Sequence, residues 1–300
     1  MKVINDKVLN KILNLIDISL NEILYYTSGK CGDLYLYKNK LLKILKWYVK
    51  DDDIKKVEAK FNEKISFINY LNNNNFECLS LNKLGDNYFK VIEIDNFIYV
   101  IYIMEYLVSD DNTYDKSLVG ERLLKLHKLS RKYKNICHNS WKEEYDSVYS
   151  SCKNDNIKTK LKYYYNEINS LDINSNNYGI IHYDSNKNNY ILSDNLVYMI
   201  DFDSICNGFY LMDIANYLFS IYNIDFINGI FMEQDEFKQI SNSILEKYNF
   251  DYKDIDLLNV FINYRLTYIY SILFEFINDI KVKKKIENII FNKNKFFILK

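Results

Sequence analysis

The chain has 300 residues and carries 39 basic and 40 acidic side chains, for a net charge of −1. That length suggests two domains or two lobes, and 48% hydrophobic with 26% charged residues excludes a disordered chain. A protein that binds nucleic acid through its phosphates needs a basic excess, which this composition lacks.

The longest apolar run, Phe97–Met104, is far shorter than the ~20 residues that span a bilayer, so no membrane partner is expected. The opening segment interrupts its apolar residues with Asn, Asp and Lys and does not read as a signal peptide. Five cysteines (Cys31, Cys78, Cys137, Cys152, Cys206) are scattered without CxxC spacing. Neither a disulfide framework nor a zinc site is indicated, and a reducing cytoplasm is the expected location. Proline is absent, while Asn numbers 40 and Tyr 29. Asn, Ile, Lys and Tyr have AT-rich codons, so the bias is one of codons. Runs such as Asn72–Asn75 read as loops in which Asn stands where Gly or Pro often would.

Val8, Leu9, Ile12, Leu13, Leu15 and Ile16 recur at helical spacing, so one or two amphipathic helices are expected over residues 5–24. Tyr25–Asp33, with Gly29 and Gly32, reads as a turn between strand-like stretches. Leu34–Tyr37 and Leu41–Val49 read as strands. Asp53–Leu71 has helical period and is expected to bury Val57, Phe61, Phe67 and Ile68. Phe76–Leu81, Tyr88–Ile94 and Phe97–Leu107 read as strands, the last two joined by a hairpin at Asp95-Asn96. Residues 1–107 therefore form a small sheet with one inserted helix. Past Ser109-Asp110-Asp111-Asn112 the pattern is mainly helical: Leu118, Leu123, Leu124, Leu126 and Leu129 make one stripe, and residues 141–170 make one or two Tyr-rich polar helices. Short strands are expected within Gly179–Leu192 and Leu196–Asp203, then helices from Asp213 onward. The fold class is α+β, with lobes 1–107 and 108–300.

The informative stretch is Ile180-Ile181-His182-Tyr183-Asp184-Ser185-Asn186-Lys187-Asn188-Asn189, followed by Met199-Ile200-Asp201-Phe202-Asp203. An apolar strand delivers His-x-Asp-x4-Asn, and a second ends in Asp-Phe-Asp. Phosphoryl transfer needs such a set. One carboxylate, Asp184, accepts or orients the proton of the acceptor hydroxyl. A second carboxylate and an amide oxygen, Asp201 and Asn189, hold the metal that neutralises phosphates. Both sit at ends of adjacent short strands and offer hard oxygen ligands.

These residues, with Asp213-Ile214-Ala215, resemble the aminoglycoside phosphotransferase/choline kinase family, whose pattern is HGDxxxxN, then IDF/D, then D-[LI]-A. Gly120-Glu121-Arg122-Leu123-Leu124-Lys125-Leu126-His127 resembles that family's G-x-x-L-A-x-L-H helix, and Met104-Glu105-Tyr106-Leu107 resembles the hinge whose backbone meets adenine. The resemblance spans residues from about 25 to 220 and implies a bilobal protein-kinase-like fold: an antiparallel N-lobe sheet with one inserted helix, and a mainly helical C-lobe. It further implies ATP or GTP as co-substrate with Mg²⁺, and a small hydroxylated acceptor that is cationic in many members. A lysine on the third strand, Lys43 or Lys46, would hold phosphates, paired with Glu63 or Glu58. The apolar-x-Lys-apolar context favours Lys43, and Phe67 and Tyr70 beneath it favour Glu63. Gly29 and Gly32 fit a phosphate-covering turn, and equally a plain hairpin. Asp203 is either a second metal contact or a loop anchor. His182 and Asp213 brace the loop, and His127 reads as a hydrogen-bonded core residue. The chain departs from the pattern at Tyr183, where Gly is usual; its phenol either packs into the C-lobe or faces the acceptor pocket, and the second is expected because Ile180 and Ile181 already supply the strand's inward contacts. The implied activity is a small-molecule kinase acting on a metabolite or antibiotic such as an aminoglycoside or amino alcohol. The alternative is a catalytically weak or inactive kinase-fold assembly protein, since some spore-coat proteins resemble the same family. Only eleven residues separate Asp201 from Asp213, which leaves no activation segment to dock a polypeptide and disfavours a protein kinase.

Overall fold

Antiparallel strands joined by tight turns dominate the first part of the computed structural model, which describes residues 2–29, 32–48, 53–109, 114–134, 137 and 139–292. The chain divides into two compact units, Met1–Asp110 and Asp111–Lys300. In the first, helix α1 (Asp6–Leu15) is capped by the Asn5 side chain, which accepts from the amide of Val8. Strands β1 (Ile23–Ser28), β2 (Gly32–Tyr37) and β3 (Lys40–Tyr48) precede helix α2 (Ile54–Asn73), and β4 (Leu81–Asn82), β5 (Phe89–Ile94) and β6 (Phe97–Glu105) follow it. The sheet order is β1-β2-β3-β6, with β4 and β5 end to end along the outer edge of β6.

Asparagine does the conformational work of glycine here. Lys38-Asn39 and Asp95-Asn96 both take positive φ, as two-residue hairpin loops require. Alternation along β3 sends Leu42 and Ile44 to a core shared with α1, and Leu41 and Leu45 to a core closed by Val57 and Phe61 of α2. A buried carboxylate, Asp33 on β2, accepts from the amides of Val3 and Ile4 at 2.9 Å each and ties the N-terminal segment to the sheet.

Of the one or two N-terminal helices expected, α1 is the one present, followed by a single 3-10 turn at Leu20–Glu22 before the chain enters β1 at Ile23. Two expectations for this unit need correction. Tyr25–Ser28 lies within β1 and Gly32 opens β2, so the turn is shorter than Tyr25–Asp33; Lys30 and Cys31 lie outside the described residues. Phe76–Leu81 is mostly irregular, and pairing is confined to Leu81–Asn82 and a bridge at Cys78. Val49, at the end of the expected third strand, also lies outside the described residues.

The second unit contains α3 (Leu118–Lys132), α4 (Trp141–Ser151), α5 (Asp155–Asn169), β7 (Tyr178–Ile181), β8 (Tyr190–Ser193), β9 (Leu196–Met199), β10 (Cys206–Phe209), α6 (Tyr210–Tyr222), β11 (Asn223–Asp225), β12 (Ile230–Phe231), α7 (Gln234–Tyr248), α8 (Ile255–Leu273) and α9 (Ile280–Phe291). The buried stripe of α3 is Val119, Leu123, Leu126, His127 and Ser130, not the leucines alone. Gly120 lies in that stripe because a Cβ there would stand against the Ile244 carbonyl of α7. The strand β10, which pairs with β7, and the small hairpin β11–β12 carry no alternation that the sequence reading singled out. Among the described residues, no helix is long and apolar enough to cross a membrane, and Cys78, Cys137, Cys152 and Cys206 are buried thiols.

Candidate active site

Strand β7 runs into a loop whose first two residues are anchored by one buried carboxylate. Asp213, in the first turn of α6, accepts from the amide of His182 at 2.9 Å and from the amide of Tyr183 at 2.8 Å. It also accepts from Nε2 of His127 at 3.1 Å, while Nδ1 of His127 accepts from the Tyr248 hydroxyl at 2.8 Å. Burial holds His127 below the usual imidazole range, against the pull of Asp213, so the ring is neutral with its proton on Nε2. His182 is also buried, and its Nε2 donates to the Ile200 carbonyl at 2.8 Å. That bond joins the loop to the end of β9.

Asp184 follows this anchored pair. Asn189 donates from Nδ2 to the Asp184 carbonyl at 2.7 Å and, at 3.3 Å, to Oδ2 of its carboxylate. With both amide hydrogens turned to Asp184, Oδ1 of Asn189 is the ligand atom left over. The amide of Ile200 donates to the Asn189 carbonyl at 2.9 Å and extends the β8–β9 ladder by one bond. Asn189 and Asp201 therefore stand at the same open end of that hairpin. Asp201 is exposed and adopts a left-handed conformation, φ 60°, at the entry to the 3-10 turn Phe202–Ser204. Asp203, within that turn, is half-buried. Asn189, Asp201 and Asp203 carry amide and carboxylate oxygens, donors of the hard kind that suits Mg²⁺ or Ca²⁺. Among the described residues, no group of three or more His, Cys, Asp or Glu is placed to hold a metal ion.

Tyr183 has φ 65°, the conformation that Gly would take without cost. Its side chain is 4% exposed, and its ring meets Tyr268 of α8 edge-on, centroids 6.5 Å apart. The expectation that the phenol faces the acceptor is thus corrected: it packs inside its own unit. Burial, then Tyr264 and Tyr268, pushes its hydroxyl far above the usual phenol range.

Arg265 of α8 is the residue that sequence reasoning missed. Its Nη2 lies 2.9 Å from Asp184 Oδ1. Only three of the 39 cations in the chain are arginines, and this one interrupts a helix of apolar and aromatic residues. Those two features are the available signal.

The N-terminal unit carries the remaining expected residues. Lys43 is 6% exposed and shares the α2-facing side of β3 with Leu41 and Leu45. Lys46 faces the other way, with Nζ 3.9 Å from the Phe97 ring centroid. On α2, Glu58 is exposed and Glu63 half-buried. The residue of that turn aimed at the sheet is Lys64, also missed: it is buried, with Nζ 4.3 Å from the Phe61 ring and 4.8 Å from the Tyr102 ring. Met104 and Glu105 end β6, and Ser80 accepts from the Glu105 amide at 3.0 Å while donating its hydroxyl to Glu105 Oε2 at 2.9 Å. The Tyr106 ring meets Tyr26 of β1 edge-on, centroids 5.9 Å apart. Gly32 opens β2 where a Cβ would stand against the Ile44 carbonyl, so strand packing alone requires glycine there.

No family profile matches the sequence, and no curated protein matches it. Solved structures do. Amicoumacin kinase hAmiN in complex with AMP-PNP, Ca²⁺ and Ami aligns with a TM-score of 0.79 at 14% identity, over 97% of this chain and 94% of that one. A microcompartment-associated aminopropanol kinase aligns at 0.70 and 13% identity, over 94% of each chain. The choline kinase LicA from Streptococcus pneumoniae aligns at 0.56 and 14% identity, over 94% of this chain and all of that one. The chain has the bilobal, protein-kinase-like fold of these structures, with an antiparallel N-terminal sheet and a mainly helical C-terminal unit.

Proposed function

We propose that the chain is a small-molecule kinase that transfers the γ-phosphate of ATP or GTP to a hydroxyl of a small metabolite or antibiotic. The observation that carries this reading is the Asp184–Asn189 pair: a reachable carboxylate, with an amide beside it whose oxygen is left for a cation. The fold shared with kinases of amicoumacin, aminopropanol and choline supports the reaction class and an acceptor of the amino alcohol or aminoglycoside kind.

In this reading Asp184 accepts a hydrogen bond from the acceptor hydroxyl and orients its oxygen toward the γ-phosphorus. The new P–O bond forms as the bond to the β-phosphate oxygen breaks, and the electron pair of that bond leaves on the nucleoside diphosphate. The hydroxyl proton passes to Asp184 and then to solvent. Asn189, Asp201 and Asp203 would hold Mg²⁺, which supplies neutralising charge on the phosphates when bound. Lys43 is the proposed phosphate-holding lysine, since alternation along β3 separates it from Lys46; Glu63 is its proposed partner on α2. Backbone groups at Met104, Glu105 and Tyr106 would meet the nucleotide base. His182 and Asp213 hold the loop and touch no reacting atom.

Thermal melting with ATP or GTP, with and without Mg²⁺, tests the reading, because a ligand that binds only the folded state must raise the midpoint. The expected result is a Mg²⁺-dependent rise, followed by diphosphate release on a panel of amino alcohols, choline and aminoglycosides. No rise with any nucleotide favours the assembly-protein alternative instead.

A further inference from the structure

We propose that Arg265 is the positioning residue of the phosphotransfer site: it fixes the carboxylate of Asp184 in the orientation that receives the acceptor hydroxyl. The inference rests on the kinase reading and deepens it.

The Asp184 carboxylate is held from both ends. Oδ1 accepts from Arg265 Nη2 at 2.9 Å, and Oδ2 accepts from Asn189 Nδ2 at 3.3 Å. A carboxylate oxygen offers two lone-pair directions, so both oxygens retain a site for a hydroxyl. Exposure separates the two roles. The Asp184 side chain is 39% exposed and open to a ligand, whereas that of Arg265 is 10% exposed. Arg265 therefore acts on the acceptor through Asp184 and not by touching it.

The arginine is itself immobilised. Its guanidinium carbon lies 5.4 Å from the centroid of the Tyr268 ring. The Tyr268 hydroxyl donates to Glu144 Oε2 of α4 at 3.4 Å. Tyr183 packs against the same ring from the catalytic loop. A guanidinium cannot give up its proton in a protein, so a buried one needs a fixed counter-charge, and Asp184 supplies it. Burial alone would lower the proton affinity of Arg265; Asp184, followed by Tyr268 and Tyr183, more than reverses that.

The rigidity of the guanidinium matters as well as the charge. Lysine supplies 36 of the 39 basic residues, yet the residue at this carboxylate is arginine. An ammonium on a flexible stem would place the same charge but direct its hydrogen bond to Oδ1 less firmly.

The test is a double-mutant cycle on Arg265→Met, Asp184→Asn and the pair. It is read by ADP release from MgATP with water as acceptor, by ADP release with 1-amino-2-propanol added, and by the MgATP-dependent rise in melting temperature. Misplacing a reacting group by an ångström costs on the order of 10²-fold in rate. Arg265→Met is therefore expected to slow release by about that factor, with the KM for MgATP and the nucleotide-dependent melting rise unchanged. In the Asp184→Asn background the same change is expected to slow release no further. Arg265→Lys is expected to fall between wild type and Arg265→Met, and it carries the comparison if the methionine variant does not fold. Wild-type turnover in both variants, or losses that multiply in the double mutant, would overturn the positioning role. A wild-type chain that is neither stabilised by MgATP nor able to release ADP overturns the kinase reading, and this proposal with it.

Discussion

The amide of Tyr183 donates to Oδ1 of Asp213 at 2.8 Å, across thirty residues of sequence. The bond fixes the one position of the loop where a bulky residue holds a left-handed conformation. It shares its carboxylate with the amide of His182 and the ring of His127, and Asn216 of the same helix donates to the Tyr183 carbonyl, so two buried side chains of α6 hold the backbone immediately before Asp184.

Asp213→Asn tests that dependence. An amide keeps one acceptor oxygen but turns an NH₂ toward groups that are themselves donors. Hydrogen bonds to a charged acceptor contribute about 1.5–3 kcal/mol each, and at least one is lost while its donor stays buried. The variant is expected to lose about 3 kcal/mol in urea unfolding and to slow phosphotransfer with it. Unchanged stability would mean that the loop is held elsewhere.

Tyr183→Gly separates two opposed effects at one residue. Removing the side chain relieves a left-handed conformation that costs a non-glycine residue roughly 1–2 kcal/mol. It also empties an aromatic site, for which truncation typically costs about 3–5 kcal/mol. The second effect is larger, so a net loss of about 1–4 kcal/mol is expected, with acceptor preference unchanged among folded molecules. Denaturant midpoints beside kinetics on several acceptors check this. A change of acceptor range without loss of stability would place the phenol in the acceptor site after all.

Part of this molecule was legible in the sequence, and the reasons differ by residue. The loop was readable because its residues are close together and their types are dictated by chemistry: His182, Asp184 and Asn189 fall within eight positions. The hairpin at Asp95-Asn96 was readable because two-residue turns demand positive φ, which Asn tolerates. Strand β10 was not, because Cys206–Phe209 is four residues long and is defined by its partner β7. Arg265 lies eighty-one residues from Asp184, and only the packing of α8 brings them together. Lys64 is charged yet sits in the apolar stripe of α2, because its stem and ammonium lie over the Phe61 and Tyr102 rings. Tyr183 was read as facing the acceptor, but a departure from a glycine says nothing about where the new side chain points.

His127 predicts a pH dependence of stability. Burial lowers its folded-state affinity for a proton, whereas in the unfolded chain imidazole titrates near about 6.5. The unfolded chain therefore takes up the proton first as the pH falls. The contribution is fully present above about 6.5 and is lost as the pH falls from there through the folded-state value. One linked proton changes stability by at most about 1.4 kcal/mol per pH unit. Urea unfolding of wild type and His127→Gln between about pH 8 and 5 measures it. The variant is expected to be weaker at neutral pH but to lose less as the pH drops, so the two lines converge. Parallel lines would assign the acid sensitivity to other groups.

Asp201→Ala addresses the cation. Asp201 follows Ile200, whose amide and carbonyl are bound to Asn189 and His182. Because the residue is exposed, the substitution is expected to leave the fold intact, which the melting temperature without ligand checks. It does remove a carboxylate from a donor set that otherwise offers Asn189 and Asp203. A divalent cation bound through one or two carboxylates loses much of its protein-side attraction, while the nucleotide phosphates keep their full charge. Calorimetric titration of ATP is therefore expected to show Mg²⁺-enhanced binding in wild type, and weak, Mg²⁺-independent binding in the variant. Asp203→Ala in parallel separates its two readings. A loss of metal dependence makes Asp203 a ligand, and a loss of melting temperature with metal dependence intact makes it an anchor of the 3-10 turn. Metal dependence unchanged in Asp201→Ala would place the cation away from the end of the β8–β9 hairpin and remove the assignment of Asn189 with it.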